Sequence, residues 1–155
     1  MDNSFMARAI QLSVENVRRG NGGPFGAVVV RDGTIVAEGV NSVTAKNDPT
    51  AHAEMVAIRE ACSRLETFSL TNCEIYTSCE PCPMCLGAIY WAHICRVYFG
   101  NLAADASKIG FDDSFIYREF VQPLAVRKIP MIQMMHDEAL TAFRDWHEKP
   151  DKILY

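Results

Sequence analysis

Three of the six cysteines of this chain lie within a single short stretch. Cys79, Cys82 and Cys85, in "TSCEPCPMC" (77–85), form two overlapping C-x-x-C pairs. Such a stretch can form a disulfide, act as a redox pair or bind a metal. Zinc prefers thiolates and imidazoles, and a catalytic zinc site has three protein ligands and leaves a fourth position to water. A zinc site therefore requires a choice among these cysteines and one more ligand from elsewhere.

The elements predicted around the cysteines favour two of them. Pro83 is a preferred first helical residue and predicts a helix over 83–92. Cys82 and Cys85 then occupy its cap and third position, where the positive end of the helix dipole stabilises thiolates. Cys79 falls in the turn that leaves a predicted strand, and spacing alone does not exclude it as a ligand.

A histidine at the start of another predicted helix offers the further ligand. His52 opens a helix predicted over 51–65, with Thr50 as its cap, and Glu54 follows two residues later. Either His52 or Glu54 alone would be an ordinary residue of a first helical turn. His52 and Glu54 indicate a zinc site only in combination with the cysteine pair.

The joint pattern is H-A-E at 52–54 followed by P-C-x-x-C at 81–85, the signature of the zinc-dependent nucleobase and nucleoside deaminases. The chain thus resembles the cytidine deaminase-like superfamily. This resemblance implies one Zn²⁺ per chain, bound by His52, Cys82 and Cys85. It implies that Glu54 acts as general acid/base on a water whose pKa falls towards ~7 at the open position. Cys79 is left as a core or neighbouring thiol, because the superfamily pattern does not use it.

Within the superfamily, the chain is similar to small bacterial guanine deaminases over nearly its whole length. The stretches that carry this resemblance are "GGPFGAVVV" (22–30), "NDPTAHAE" (47–54), "YTSCEPCPMCLGAIYWA" (76–92), "GFDDSFIY" (110–117) and the C-terminal "ILY" (153–155). The last two are the most specific, because every member shares the zinc motif. The implied activity is hydrolytic deamination of guanine to xanthine and ammonia, a step of purine catabolism or salvage.

The resemblance also implies a set of substrate-binding residues: Phe25, Asn41, Ala53 and Tyr155. Phe25 would stack on the purine, Asn41 would pair with its edge, and the backbone of Ala53 would complement the ring. Asp113 matches the carboxylate that holds the 2-amino group and assists proton transfer, whereas Asp112 would cap the next helix. A core role for Phe25 and a turn role for Asn41 remain open alternatives.

The order of the predicted elements indicates an α/β fold. The elements are a helix over 3–19, a hairpin of strands 27–31 and 34–40, strands 73–78, 94–100 and 129–135, and a last helix over 137–147, in addition to the two helices above. Asp32-Gly33 is a strong two-residue hairpin signal. Alternating strands and helices indicate a mostly parallel sheet covered on both faces. The resemblance implies a three-layer α/β/α sandwich around a mixed five-stranded sheet.

Length and composition limit the remaining possibilities. The 155 residues, of which 49% are hydrophobic and 22% charged, suit one globular domain over 1–155. A net charge of −4 argues against a nucleic-acid partner. The N-terminus lacks the features of a signal peptide, and no apolar run approaches the ~20 residues that cross a bilayer. We therefore expect a cytoplasmic protein with reduced thiols, in which Cys62, Cys73 and Cys95 are core residues.

Other functions remain to be weighed against guanine deamination. A tRNA adenosine deaminase would share the zinc residues and an Asn equivalent to Asn41, but the acidic balance and "GFDDSFIY" argue against it. A cytosine deaminase is a third possibility. A non-catalytic zinc-binding module is a different class of protein, and it would not need Glu54 beside an open metal position.

The C-terminal segment, about 137–155, carries the last expectation. It ends in three apolar residues after Pro150, whereas a disordered tail is usually polar. The resemblance implies a homodimer in which this segment is exchanged between subunits, with Pro150 at the hinge. Tyr155 would then close the active site of the neighbouring subunit and exclude water from it.

Overall fold

The computed structural model describes residues 3–155 as two units. The first unit ends at Asp113 and contains α1 (Asn3–Arg19), β1 (Gly26–Arg31), β2 (Thr34–Val40), α2 (Val43–Lys46), α3 (Ala53–Arg64), β3 (Cys73–Cys79), α4 (Pro83–Trp91), β4 (Arg96–Asn101) and α5 (Ala103–Lys108). The second unit, Ser114–Tyr155, contains α6 (Ser114–Phe120), a 3-10 turn (Leu124–Val126) and α7 (His136–Glu148). The prediction of a single domain stays a prediction.

The sheet of the described residues has four strands in the order β2-β1-β3-β4. β1 is antiparallel to both of its neighbours, and only β3 and β4 pair in parallel. The expectation of a mixed sheet is therefore confirmed, although two of its three pairings are antiparallel. β2, β3 and β4 all run in the same direction, and β1 runs against them. The crossover through α3 passes over β1, which lies between β2 and β3.

The predicted fifth strand, 129–135, is absent from the described sheet. This segment is irregular and its apolar side chains are exposed. Pro130 has no N–H to donate to a ladder, and Met135 takes a left-handed backbone with φ 52°. A short apolar run does not by itself distinguish a strand from an irregular segment.

The Asp32-Gly33 hairpin is confirmed. Both residues have positive φ, 50° and 72°, as a type I′ turn between β1 and β2 requires. Without a side chain, Gly33 adopts this conformation at little cost.

The first unit has three layers around its sheet. Alternate residues of β1 point to opposite faces, with Ala27 and Val29 in one buried cluster and Val28 and Val30 in the other. The first cluster contains residues of α3 and α4, and the second contains residues of α1. Arg8 on α1 also forms two hydrogen bonds of 2.7 Å with the carboxylate of Glu38 on β2. The predicted α/β/α layering thus holds within this unit.

A glycine lets α3 lie directly on β2. A Cβ at Gly39 would be 2.1 Å from the carbonyl oxygen of Ala53 and 2.6 Å from the nitrogen of Ala57. Any larger residue would therefore push away the start of α3. This start carries His52 and Glu54, so Gly39 sets the position of both.

Several local expectations need correction. His52, and not Thr50, is the N-cap of α3, because the Thr50 hydroxyl donates to Asp48 in a local turn. Cys73 is buried as expected, but Cys62 is half-buried and Cys95 is exposed. The segments 41–50 and 101–112, for which no helix or strand was predicted, contain the short helices α2 and α5. Among the described residues, no helix is both long and apolar enough to span a membrane.

Candidate zinc-dependent active site

Two helix starts meet at the centre of the first unit. His52 is the N-cap of α3, Cys82 is the N-cap of α4, and Cys85 is the third residue of α4. Nδ1 of His52 lies 3.5 Å from Sγ of Cys82 and 3.6 Å from Sγ of Cys85. Both N-caps have extended backbones, which turn these side chains across the helix starts.

This group of donors fits a zinc ion. The ligand atoms of His52, Cys82 and Cys85 all lie within 4.8 Å of one another. Two thiols and one imidazole are a donor set that zinc prefers, and three protein ligands are typical of a catalytic site. The predicted ligands are therefore brought together as one metal site per chain.

Cys79 is directed elsewhere. It ends β3, is buried, and its thiol lies 3.7 Å from the carbonyl oxygen of Leu102, to which it donates. Burial raises the pKa of Cys79 to about 11, so this sulfur stays protonated at neutral pH. Cys82 and Cys85, and not Cys79, therefore lie beside His52, as their places at the helix start predict.

The two ligand cysteines differ in their affinity for a proton. The pKa of Cys82 falls to about 4, chiefly because the Cys85 thiol hydrogen-bonds to its sulfur and also because His52 does so. The same contact, together with burial, raises the pKa of Cys85. The hydrogen bond with Cys82 raises the pKa of His52. Negative charge therefore collects on Cys82, where a cation would bind.

Glu54 lies beside these ligands in a closed environment. Its side chain is 6% exposed. The Thr77 hydroxyl donates to Oε1 at 3.2 Å, and the Cys85 thiol donates to Oε2 at 3.5 Å. Burial raises the pKa of the Glu54 carboxyl above its ordinary value. A carboxyl with a raised pKa can take up and release a proton near neutral pH.

Asp113 lies within electrostatic reach of the same centre. It is half-buried, and its pKa is raised by burial and then by the charge of Cys82. Helix α6 begins at Ser114, so Asp113, and not Asp112, immediately precedes it. Asp112 is exposed. The expected division of roles between the two carboxylates stays a prediction.

The predicted purine-binding residues of the first unit lie on its loops and helix starts. Phe25 precedes β1, and its ring contacts that of Phe111 edge to face, with centroids 4.9 Å apart. Asn41 follows β2 and is buried. Its Oδ1 accepts hydrogen bonds from the backbone N–H groups of Gly23 and Val43, at 3.2 and 3.4 Å. Ala53, the first residue of α3, is fully buried. Tyr155 belongs to the second unit, where it is exposed.

Sequence reasoning missed three residues at this site. Thr77 lies in β3, which also contains the polar residues Glu74 and Ser78, so its residue type alone did not distinguish it. Phe111 precedes the Asp pair in the segment noted for its specificity. Asn16 lies on the buried side of α1, four residues after Leu12 and seven after Ala9, and this helical spacing is the signal that could have found it.

Comparison with known proteins gives the family of this chain. The model described as "Cytidine and deoxycytidylate deaminase zinc-binding region" matches residues 1–101. The chain belongs to this deaminase family. The expectation of zinc is thereby confirmed, because the matched region contains all three ligands found in the structure.

Individual relatives of this deaminase are more specific. A guanine deaminase from Bacillus subtilis (strain 168) is 53% identical over 152 residues, which cover 98% of this chain and 97% of the relative. The crystal structure of guanine deaminase from Bacillus subtilis has a TM-score of 0.97 and 52% identity, and covers 100% of this chain and 99% of its own. The resemblance to small bacterial guanine deaminases and the cytidine deaminase-like fold are thus confirmed. A tRNA-specific adenosine deaminase from Aquifex aeolicus (strain VF5) is 49% identical over only 79 residues, 51% of this chain and 52% of the relative.

Proposed function

We propose that this chain is a zinc-dependent guanine deaminase, which hydrolyses guanine to xanthine and ammonia. The observation that carries the proposal is the buried carboxyl of Glu54 beside three metal ligands. A structural zinc site completes its ligand shell and has no use for such a group. The guanine deaminase matched over 98% of the chain supports the choice of substrate.

The ion is held by His52, Cys82 and Cys85. A bound zinc ion supplies Lewis acidity, which lowers the pKa of water and makes hydroxide available at neutral pH. The low pKa of Cys82 keeps that ligand ionised without the ion. The two helix starts contribute positive dipole ends that stabilise the thiolates.

Glu54 moves the protons of the reaction. Its carboxylate takes a proton from the attacking water and delivers it to a ring nitrogen of the base. The C2–O bond forms, the second proton of the water passes from the new hydroxyl group to the amino group, and the C2–N bond then breaks to release ammonia. The contact with Thr77 fixes one carboxylate oxygen, so that the other remains directed to the ligand side of the site.

Asp113 binds the 2-amino group and helps to relay the second proton of the water to it. A carboxylate accepts hydrogen bonds from the 2-amino group of guanine, which adenine and cytosine lack at the same position. The burial that raises the pKa of Asp113 also helps it to hold a proton for transfer. A site built to bond this group discriminates strongly against bases without it.

Three further groups orient the purine. Phe25 stacks on the ring, and its contact with Phe111 fixes the tilt of the Phe25 side chain. Asn41 turns its Oδ1 to backbone donors, which leaves its Nδ2 to donate to an acceptor on the purine edge. As the first residue of α3, Ala53 has a backbone N–H without an acceptor inside its helix.

The tail and the assembly complete the proposal. The enzyme is a homodimer in which the segment 137–155 is exchanged, so that Tyr155 covers the purine in the neighbouring subunit. In support, the second unit buries no residue of its own, and Ile153, Leu154 and Tyr155 are 65%, 75% and 74% exposed. Exposed apolar surface of this kind favours a partner. The thiol ligands are suited to the reducing cytoplasm.

The choice of substrate is tested with the purified zinc form and five substrates. Guanine, adenine, cytosine, cytidine and a tRNA anticodon stem-loop are incubated separately, and ammonia release is followed. We expect guanine to be turned over far faster than the other four. Preferred turnover of the stem-loop or of cytosine would replace this proposal with one of the related activities. A zinc-loaded protein that releases no ammonia from any of them would indicate a binding module.

A further inference from the structure

We propose that Asn16 on α1 is a positioning residue for the purine site, because its amide joins the loop that carries Phe25 to Asn41. The inference rests on the proposed function for the identity of the ligand. The hydrogen bonds that carry it are independent of any substrate.

Asn16 reaches both segments from a fully enclosed place. It is 2% exposed. Its Nδ2 donates to the carbonyl oxygen of Gly23 and to the carbonyl oxygen of Asn41, each at 2.9 Å. Gly23 lies two residues before Phe25. One amide group therefore holds the backbones of two segments that both contribute to the site.

The two segments also bond to each other. The backbone N–H of Gly23 donates to Oδ1 of Asn41 at 3.2 Å, and the backbone N–H of Asn41 donates to the carbonyl oxygen of Phe25 at 3.1 Å. A Cβ at Gly22 would be 2.4 Å from the carbonyl oxygen of Asn41, so the loop lies directly against that residue. With Asn16, these contacts form a closed set that fixes the Phe25 loop relative to Asn41.

The requirement at this position is for two donors. A carbonyl oxygen enclosed without a hydrogen bond is costly, and Asn16 satisfies two of them with one NH₂ group. Its own Oδ1 is buried and has no hydrogen-bond partner among the described residues. An apolar residue of the same shape would remove that unpaired acceptor but would lose both donors. The Asn16 side chain therefore suits this position through the two hydrogen bonds that hold the loop, and not through its oxygen.

Loss of these bonds should mainly impair binding of the base. The hydrogen bonds that Asn16 donates go to Gly23 and Asn41 and not to the metal ligands or Glu54, so we expect zinc content and the proton-transfer residue to remain unchanged. Phe25 and Asn41 would each move more freely, and misplacement of binding groups by a fraction of an ångström weakens a site considerably. We therefore expect a rise in KM for guanine that exceeds the fall in kcat.

The test compares three variants in the zinc-loaded full chain. Asn16→Leu has no donor, Asn16→Ser has one, and Ser13→Ala is the matched control. Ser13 is also buried on α1, but its hydroxyl donates to the carbonyl oxygen of Ile10 within the same helix. Guanine KM and kcat, zinc content and hydrogen exchange of the peptide 20–26 are measured for each variant.

We expect KM to rise about tenfold or more in Asn16→Leu, to a smaller extent in Asn16→Ser, and not in Ser13→Ala. Exchange of the 20–26 peptide should accelerate in the same order, with one zinc per chain throughout. Equal KM and equal exchange in Asn16→Leu and Ser13→Ala would overturn the inference. If Asn16→Leu does not fold, Asn16→Ser against Ser13→Ala decides in the same way. A wild-type protein inactive on guanine would refute the proposed function, while the exchange data would still decide the role of Asn16 in the loop.

Discussion

At the scale of single residues, position decides which of several similar side chains can react. Cys82 and Cys79 are three residues apart, yet one has a pKa of about 4 and the other of about 11. The difference follows from a hydrogen-bonded helix start in one case and burial in the other. Glu54 and Asp113 are both carboxyls whose pKa is raised by burial. Neither of these properties is visible in residue types alone.

Metal content should separate the two cysteines. Cys82→Ser removes one of three ligands, so we expect loss of most of the bound zinc. Cys79→Ser removes a thiol that donates to Leu102 and should leave one zinc per chain. Zinc is measured by elemental analysis of both purified variants. Retention in Cys82→Ser together with loss in Cys79→Ser would reverse the assignment.

The neighbouring aspartates should differ in the same manner. Asp113→Ala removes the proposed partner of the 2-amino group, and we expect guanine turnover to fall by about 10²-fold or more. Asp112→Ala, at an exposed position, should stay within a few-fold of wild type. Steady-state kinetics of both zinc-loaded variants measure the difference. Equal losses, or a greater loss in Asp112→Ala, would move the role to the other carboxylate.

At the scale of elements, the site is assembled where two helices begin. The cysteine pair could be placed on α4 from the sequence, because Pro83 marks a helix start through local chemistry. His52 could be placed near the start of α3, but its role as N-cap could not, because Thr50 was the better cap by residue type. The pairing of strands that are distant in the sequence could not be predicted from it either. Nothing local shows that β1 lies between β2 and β3, or that 129–135 has no strand partner in the described sheet.

The fit of α3 on β2 gives a prediction at this scale. Gly39→Ala would set a Cβ 2.1 Å from the Ala53 carbonyl oxygen, so we expect lower stability and weaker zinc binding, because the helix start moves. Gly87→Ala on α4 is the control, since a Cβ there meets no atom within 4 Å. Alanine inside a helix is worth roughly 0.5–1 kcal/mol over glycine. We therefore expect thermal melts and zinc titrations to show a lower melting temperature and weaker zinc binding for Gly39→Ala, and neither loss for Gly87→Ala. Equal results for the two variants would show that α3 tolerates the shift.

At the scale of the whole molecule, the second unit has apolar surface but no buried residue of its own. Its exposed side chains include Phe143, Ile153 and Leu154. The sequence predicted an exchanged tail through resemblance. An exchanged segment packs on a second subunit, so its test requires two different chains in one dimer.

Complementation between two inactive subunits tests the exchange. A chain lacking residues 150–155 keeps Glu54 but has no tail, and Glu54→Gln keeps the tail but has no base. If the tail acts on the neighbouring subunit, a mixed dimer has one complete site out of two. About half of the dimers in an equal co-expressed mixture are mixed, so the mixture should recover about a quarter of wild-type turnover. A tail that acts on its own chain would leave the mixture inactive. A truncated chain that is fully active by itself would show that the tail has no role.

The central claim is that a buried carboxyl beside a bound zinc ion runs the hydrolysis of guanine. Its most direct test is xanthine formation from guanine by zinc-loaded wild type and zinc-loaded Glu54→Gln, which has the same shape but cannot accept the proton. We predict equimolar xanthine and ammonia from the wild type, and turnover lower by at least ~10²–10⁴-fold in the variant at equal zinc content. Near-normal xanthine formation by Glu54→Gln, or none by the wild type, would contradict the account.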